Sequence, residues 1–372
     1  MASSLQTPDL IINLTAEPDA LLYTYSYAET VVITALYPII LALGLFGNFA
    51  FLFTIARVRR MRTEINVYLG SLAFTAVVLL VVGISSTLAR YRASPVPIDS
   101  TSFGPVGCAA VSFLQDVSTW AAHAFGVAVP IVLYHATCRP HLFRRLRGMK
   151  RAIVTSAWLW VVVTCIGLCF LPTWWNFVWY GLVWANLEQY QDYPEVIGVC
   201  SAAAEWLVIT HDLLQSTTFF LCALNGNIIF AIIIRSLRKR FRSIGLPSGT
   251  DGNRKSAGAQ AVKRNKSRRQ VFRMVVLSSV AFFAFPMPYD CILFAQSVAR
   301  LTGKRVLADE QFKALLFAST TLLYVTPAIC PYIYVLSNPG YRIAVVQAFT
   351  KKPGGRSNRS VGGGAEMSTL AG

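Results

Sequence analysis

Three carboxylates are the residues of this chain best placed to do chemistry, because each lies within a long apolar run. Asp116 follows Gln115 in a stretch from Cys108 to Tyr134 that has no Lys, no Arg and no other acid. Asp212 follows His211 in the run 203–234, and Asp290 follows Tyr289 in the run 271–298. An acid in apolar surroundings is costly and defaults to a functional role. Such a set can recognise a cation or a donor-rich group. It can equally hydrogen-bond neighbours such as Gln115, Gln215 or Tyr324, and sequence leaves both roles open. Catalysis finds no support: GxSxG, HExxH and the P-loop pattern are missing from the sequence. His123 lies within an apolar run, while His135 and His141 lie among basic residues, so no metal centre, cofactor or enzyme activity is expected.

The elements that must position these acids follow from hydropathy. Of 372 residues, 55% are hydrophobic, and the mean hydropathy is +0.51. A soluble domain is nearer 45–50% apolar. Apolar runs cover about 31–56, 66–89, 106–134, 152–171, 203–234, 271–298 and 314–336. Each is long enough to span a bilayer as a helix. At about 1.5 Å per residue, Cys108 to Tyr134 reaches roughly 39 Å, and six further spans can pack around it. The expected fold is an all-α membrane protein with a seven-helix bundle.

The net charge of +17 raises the possibility of nucleic acid. The basic residues, however, lie between apolar runs, so topology explains them and no nucleic-acid partner is expected. Of the 34 Lys and Arg, 28 lie after the odd-numbered spans or in the tail. The excess of positive charge marks the cytoplasmic side. This predicts an outside N-terminal segment (1–30), a seven-span domain (31–336), a surface helix (337–350) and a disordered cytoplasmic tail (351–372). No cleavable signal is visible, so the first span is expected to act as the targeting signal. Asn13-Leu14-Thr15 is a glycosylation sequon on the predicted outer side, whereas Asn265 and Asn358 open sequons on the inner side. Of eight cysteines, Cys108 and Cys200 alone combine an oxidising compartment with a suitable position, so they are paired.

Motifs then identify a relationship. Gly47-Asn48 is followed by Met61-Arg62-Thr63, Asn66, Tyr68-Leu69 and Ser71-Leu72-Ala73. This resembles the first two helices of rhodopsin-like (class A) G-protein-coupled receptors, and within them peptide receptors of the thyrotropin-releasing-hormone, neuromedin and ghrelin type. The resemblance covers about 31–350. Cys108 and Cys200 match the family's disulfide pair, and Trp158 its fourth-helix tryptophan. Phe282 and Pro288-Tyr289 match the sixth helix, Pro331 and Tyr334 the seventh, and Tyr341 the opening of the eighth.

The resemblance implies an outer ligand cavity with Gln115, Asp116, Trp120, Tyr289, Asp290, Thr320 and Tyr324 on its wall. It assigns signal transmission to Asn48, Leu133, Tyr134, Phe282, Pro288, Pro331 and Tyr334. The implied partners are an extracellular ligand (a peptide or a small cationic molecule), a heterotrimeric G protein and membrane lipid. The implied location is the plasma membrane. Aminergic members carry their acid one position earlier, where this chain has Gln115. Opsins carry a Lys where this chain has Tyr324. A simple amine or retinal is therefore not expected.

The departures from the family are specific. The Asp/Glu-Arg-Tyr end of the third helix reads Val132-Leu133-Tyr134, the second-helix Asp falls on Ala76, and the sixth-helix Trp falls on Pro286. The Asn-Pro-x-x-Tyr of the seventh helix begins with Cys330. With Ala76, Ala122 and Cys330 at the family's sodium positions, no central sodium site is expected, since a hard cation needs oxygen ligands. Pro130 is expected to kink the third helix near its cytoplasmic end. After Pro172 a loop carries Trp174, Trp175, Phe177, Trp179, Tyr180 and Trp184, which suits an interfacial aromatic belt or a lid over the cavity. The loop 246–267 reads as disordered. After Asn338-Pro339-Gly340, Tyr341, Val345 and Phe349 predict one apolar face on the surface helix. The leading expectation is a peptide receptor acting through G proteins. A divergent non-coupling, scaffold or decoy receptor is the alternative, and a seven-span transporter or membrane enzyme a third.

Overall fold

The computed structural model describes residues 8–139, 141–143, 148–243, 270, 273–274, 276–277, 279–304 and 307–350. The disordered-loop and tail expectations lie outside these residues. Helices α1 (Glu17–Leu22) and α2 (Tyr27–Val31) lead into α3 (Tyr37–Arg57). Ser26 and Glu29 close a reciprocal capping box that starts α2. Then follow α4 (Glu64–Ala93), α5 (Gly104–Cys138), α6 (Met149–Phe170) and α7 (Glu205–Ser243). The chain closes with α8 (Met287–Thr302), α9 (Asp309–Ser337) and α10 (Pro339–Thr350). Among the described residues, 6 helices are long and apolar enough to cross a membrane. The expected sixth span falls partly outside them; 279–284 are helical, the chain turns at Phe285-Pro286, and α8 restarts at Met287. Proline has no N–H to continue the ladder, which explains a break where the family carries Trp.

Helix α5 packs against α4, α6 and α7, and so occupies the centre as expected. It runs unbroken through Pro130 to Cys138. A core cluster includes Phe51, Trp120, Phe125, Leu133 and Tyr334. Small residues allow the closest contacts. A Cβ at Gly83 would stand 2.6 Å from the Tyr324 hydroxyl, so α4 and α9 can meet only with glycine there. Asn48 donates from Nδ2 to the carbonyls of Gly44 (2.8 Å) and Pro327 (2.9 Å), tying α3 to α9 as a buried Asn should.

One end of the bundle, the end expected to face outside and here called outer, carries a sheet that hydropathy did not suggest. Strand β1 (Leu10–Leu14) pairs in parallel with β2 (Asn176–Trp184), in register from Leu10↔Tyr180 to Leu14↔Trp184. Strand β3 (Val196–Ser201) pairs antiparallel with β2. Much of the aromatic loop is therefore β2. Leu14, Ala20, Val96, Leu182, Tyr190 and Ile197 form a small core beneath the sheet. The Cys108–Cys200 disulfide (Cα–Cα 5.7 Å) fastens β3 to α5. Glu29 and Lys313 pair at 3.4 Å, linking α2 to α9.

Helix α10 buries a different stripe from the one expected. Tyr341, Ala344 and Ala348 are buried, whereas Phe349 is exposed and meets Phe53 at 5.2 Å. Positions 341, 344 and 348 track the 3.6-residue repeat, and alanine lets α10 approach the bundle closely.

Candidate functional site

At the outer end, α5 and α7 bring two of the three acids together. Asp116 lies two helical turns below Cys108, and α7 presents His211 and Asp212 in its second turn. His211 Nε2 lies 3.5 Å from Asp116 Oδ2, and Nδ1 lies 3.0 Å from Asp212 Oδ1. In the imidazolium form each ring nitrogen would face one carboxylate, Nδ1 through a hydrogen bond and Nε2 through an ion pair that lacks hydrogen-bond geometry. The edges of Phe170 (5.2 Å) and Trp174 (6.4 Å) cover the imidazole. Exclusion of water strengthens such a contact. The partner of Asp116 is therefore His211, rather than Gln115, Gln215 or Tyr324. Only a non-local contact between residues 116 and 211 could reveal it; adjacent ionisable residues within an apolar run were the available signal.

Asp290 opens the first turn of α8, just past the break at Pro286. It is 2% exposed, and its carboxylate meets the Gln215 side chain. Its Oδ1 has no hydrogen-bond partner among the described residues. Tyr289 lies in the electrostatic field of Asp212, Asp290, Tyr324 and Asp116, so the three acids and both tyrosines share one region. A buried carboxylate oxygen without a donor is able to accept from an arriving cation or N–H.

The other expected wall residues are distributed unevenly. Gln115 is half-buried beside Asp116. Thr320 is half-buried and bonds back to the Leu316 carbonyl at 2.7 Å. Trp120 belongs to the hydrophobic core, edge-on to His123 at 6.2 Å. The Tyr324 ring packs in the seam of α3, α4 and α9 against Tyr37 at 5.6 Å, and its hydroxyl meets Thr87. Asn13 is exposed on β1, with its side chain accepting from the Thr15 amide at 3.0 Å.

The opposite, inner end is built differently. Leu133 is 2% exposed in the cluster that holds Ile233, Met274 and Tyr334. Val132 and Tyr134 pack on that cluster's margin. Arg273 Nη2 donates to the Ser337 carbonyl at 3.3 Å, joining the residues that enter the sixth span to the end of α9. The Tyr341 hydroxyl donates to Asn66 Oδ1. Between the ends, Phe282 packs on α5, where a Cβ at Gly126 would stand 2.8 Å from it. Pro331 lies against α3, 3.3 Å from where a Cβ at Gly47 would be. Pro288 is exposed at the start of α8.

Comparison with known proteins agrees with this architecture. Residues 47–334 match the "7 transmembrane receptor (rhodopsin family)" profile. The rabbit (Oryctolagus cuniculus) growth hormone secretagogue receptor type 1 is 24% identical over 86% of this chain and 81% of its own length. The human (Homo sapiens) protein of that name is 23% identical over 86% and 81%. The chicken (Gallus gallus) thyrotropin-releasing hormone receptor is 25% identical over 85% and 78%. A receptor of this kind is a multi-pass plasma-membrane protein and not an enzyme, which leaves the transporter and membrane-enzyme alternatives without support. The match covers more than half of the sequence, and the chain belongs to the rhodopsin family of seven-transmembrane receptors.

Proposed function

We propose that this receptor binds an extracellular peptide at its outer end and passes the signal to a cytoplasmic G protein. The observation that carries the reading is the acid cluster: Asp116 and Asp212 flanking His211, with the free Oδ1 of Asp290 in the same region. Two acids around one histidine leave the site electronegative, and the nearby Asp290 carboxyl adds a polar group, which suits a ligand with a basic or donor-rich group. Relatives named as receptors for thyrotropin-releasing hormone and for growth hormone secretagogues support an extracellular ligand of the peptide class. The N-terminus lies outside with a glycan on Asn13, and β1, β2 and β3 form a lid over the cavity. The wall consists of Gln115, Asp116, Tyr289 and Asp290, with Trp120, Thr320 and Tyr324 supporting it.

Ligand binding favours an arrangement with the inner ends of α7 and the sixth span apart, into which the G protein fits. Phe282 on Gly126, the break at Pro286 with Pro288 beyond it, Asn48 on the Pro327 carbonyl, Pro331 and Tyr334 are the moving contacts. Tyr134 and the neighbouring basic loop meet the G protein and anionic lipid. The test is nucleotide exchange on a panel of G proteins by purified receptor, challenged with peptide and amine libraries. A peptide that drives exchange on at least one of them is expected. Silence across the panel, or responses to amines only, would refute the reading.

A further inference from the structure

A cavity of about 100 Å³ lies in the middle of the bundle, between α3, α4, α5, α7, the sixth span and α9. It lies where the family resemblance places sodium, since Ala76, Ala122 and Cys330 line it. No Asp, Glu, Lys or Arg is among its lining residues. A hard cation would find no carboxylate there and an anion no basic side chain. Two deeply buried polar side chains nevertheless line it without a partner among the described residues. They are Thr75 Oγ1, on a residue 2% exposed, and His123 Nδ1, on a residue 5% exposed. Asn48, Thr119, Ser279 and Thr326 also line it, in a largely apolar wall; buried polar atoms are rarely left unpaired, and such groups suit a matching guest.

We propose that this cavity is a second binding site, for a small uncharged molecule that carries one hydrogen-bond donor and one acceptor on an apolar ring. The Thr75 hydroxyl and the His123 ring each take one polar atom of the guest, and the apolar wall takes the ring. The size fits: an apolar protein cavity of roughly 150 Å³ holds benzene, so a five-membered ring suits this one. The site also bears on signalling. Phe282 and Pro286 line it, and His123 meets Phe219 at 5.7 Å, so a guest touches the break in the sixth span. A guest that fits this arrangement best stabilises it against the alternative.

Pyrazole is a suitable probe, being neutral, water-soluble and furnished with one N–H and one acceptor nitrogen. Thermal unfolding of the purified receptor in lipid nanodiscs is followed against pyrazole concentration. The wild type is expected to gain stability saturably. Thr75→Val, which keeps the shape and removes the hydroxyl, is expected to weaken apparent affinity about threefold to tenfold, and His123→Leu by a similar factor. Replacing sodium by choline is expected to change nothing. No saturable gain, affinity unchanged from the wild type in both variants, or stabilisation specific to sodium would each overturn the proposal. The readout is independent of any agonist, so it stands or falls separately from the peptide-receptor reading.

Discussion

The two ends of the bundle are held together by different physics. At the outer end, beside the small apolar core under the sheet, the ties between elements include polar, charged and covalent contacts that each need one particular partner: Glu29 with Lys313, His211 with Asp116 and Asp212, Cys108 with Cys200. At the inner end Leu133, Ile233, Met274 and Tyr334 share an apolar cluster, beside which Tyr341 bonds Asn66 and Arg273 reaches a main-chain carbonyl. Directional contacts are selective and apolar packing is permissive. The outer end is thus specified for recognition. Where the family resemblance implies a third-helix Arg, the inner end has Leu133 in apolar packing.

The largest expected effect removes the outer staple. Replacing both Cys108 and Cys200 by Ala opens a loop with a sequence separation of 92. This should lower unfolding free energy by about 4 kcal/mol, read by denaturant unfolding. Peptide mapping of the non-reduced wild type should recover the two cysteines linked; free thiols there would break the contrast at once.

Next is the imidazole. His211→Leu leaves Asp116 and Asp212 buried without their shared donor and should cost about 3 kcal/mol of stability. Adding Asp116→Asn and Asp212→Asn to His211→Leu should recover much of the loss, because no buried acid then lacks a partner. A cost that is the same in both backgrounds would make His211 a packing residue only.

Much of this bundle was legible in the sequence. Seven apolar runs, the skewed Lys and Arg, and Gly47-Asn48 through Ala73 were enough for the helices and their family. The β1–β2 pairing was not legible, because it joins residues 170 positions apart and depends on contacts no local pattern encodes. The same holds for His211 as the partner of Asp116. Tyr324 was placed on the cavity wall by position along its helix; Gly83 leaves room for its ring in the seam of α4 and α9, and glycine leaves no mark on a hydropathy profile. In α10 a four-residue spacing pointed to Phe349, while small alanines at 344 and 348 set the true buried face.

A smaller effect sharpens the inner side of the contrast. Leu133 has no donor, so a polar partner surface gains no charged hydrogen bond from it. Leu133→Arg combined with Val132→Asp supplies both the donor and its resting acid. Agonist-driven exchange at matched surface expression should rise about tenfold, the worth of one charge-assisted hydrogen bond. No gain, in a receptor already fully efficient, would show that apolar packing couples as well as the Arg does.

The most direct measurement is agonist affinity at the acid cluster, taken with a peptide that drives exchange. Asp116→Asn and Asp290→Asn keep the size of each side chain and remove its carboxyl group. Both should weaken binding, by about tenfold each, with surface expression unchanged. Unaltered affinity in both variants, at normal expression, would contradict the assignment of the outer cavity as the recognition site.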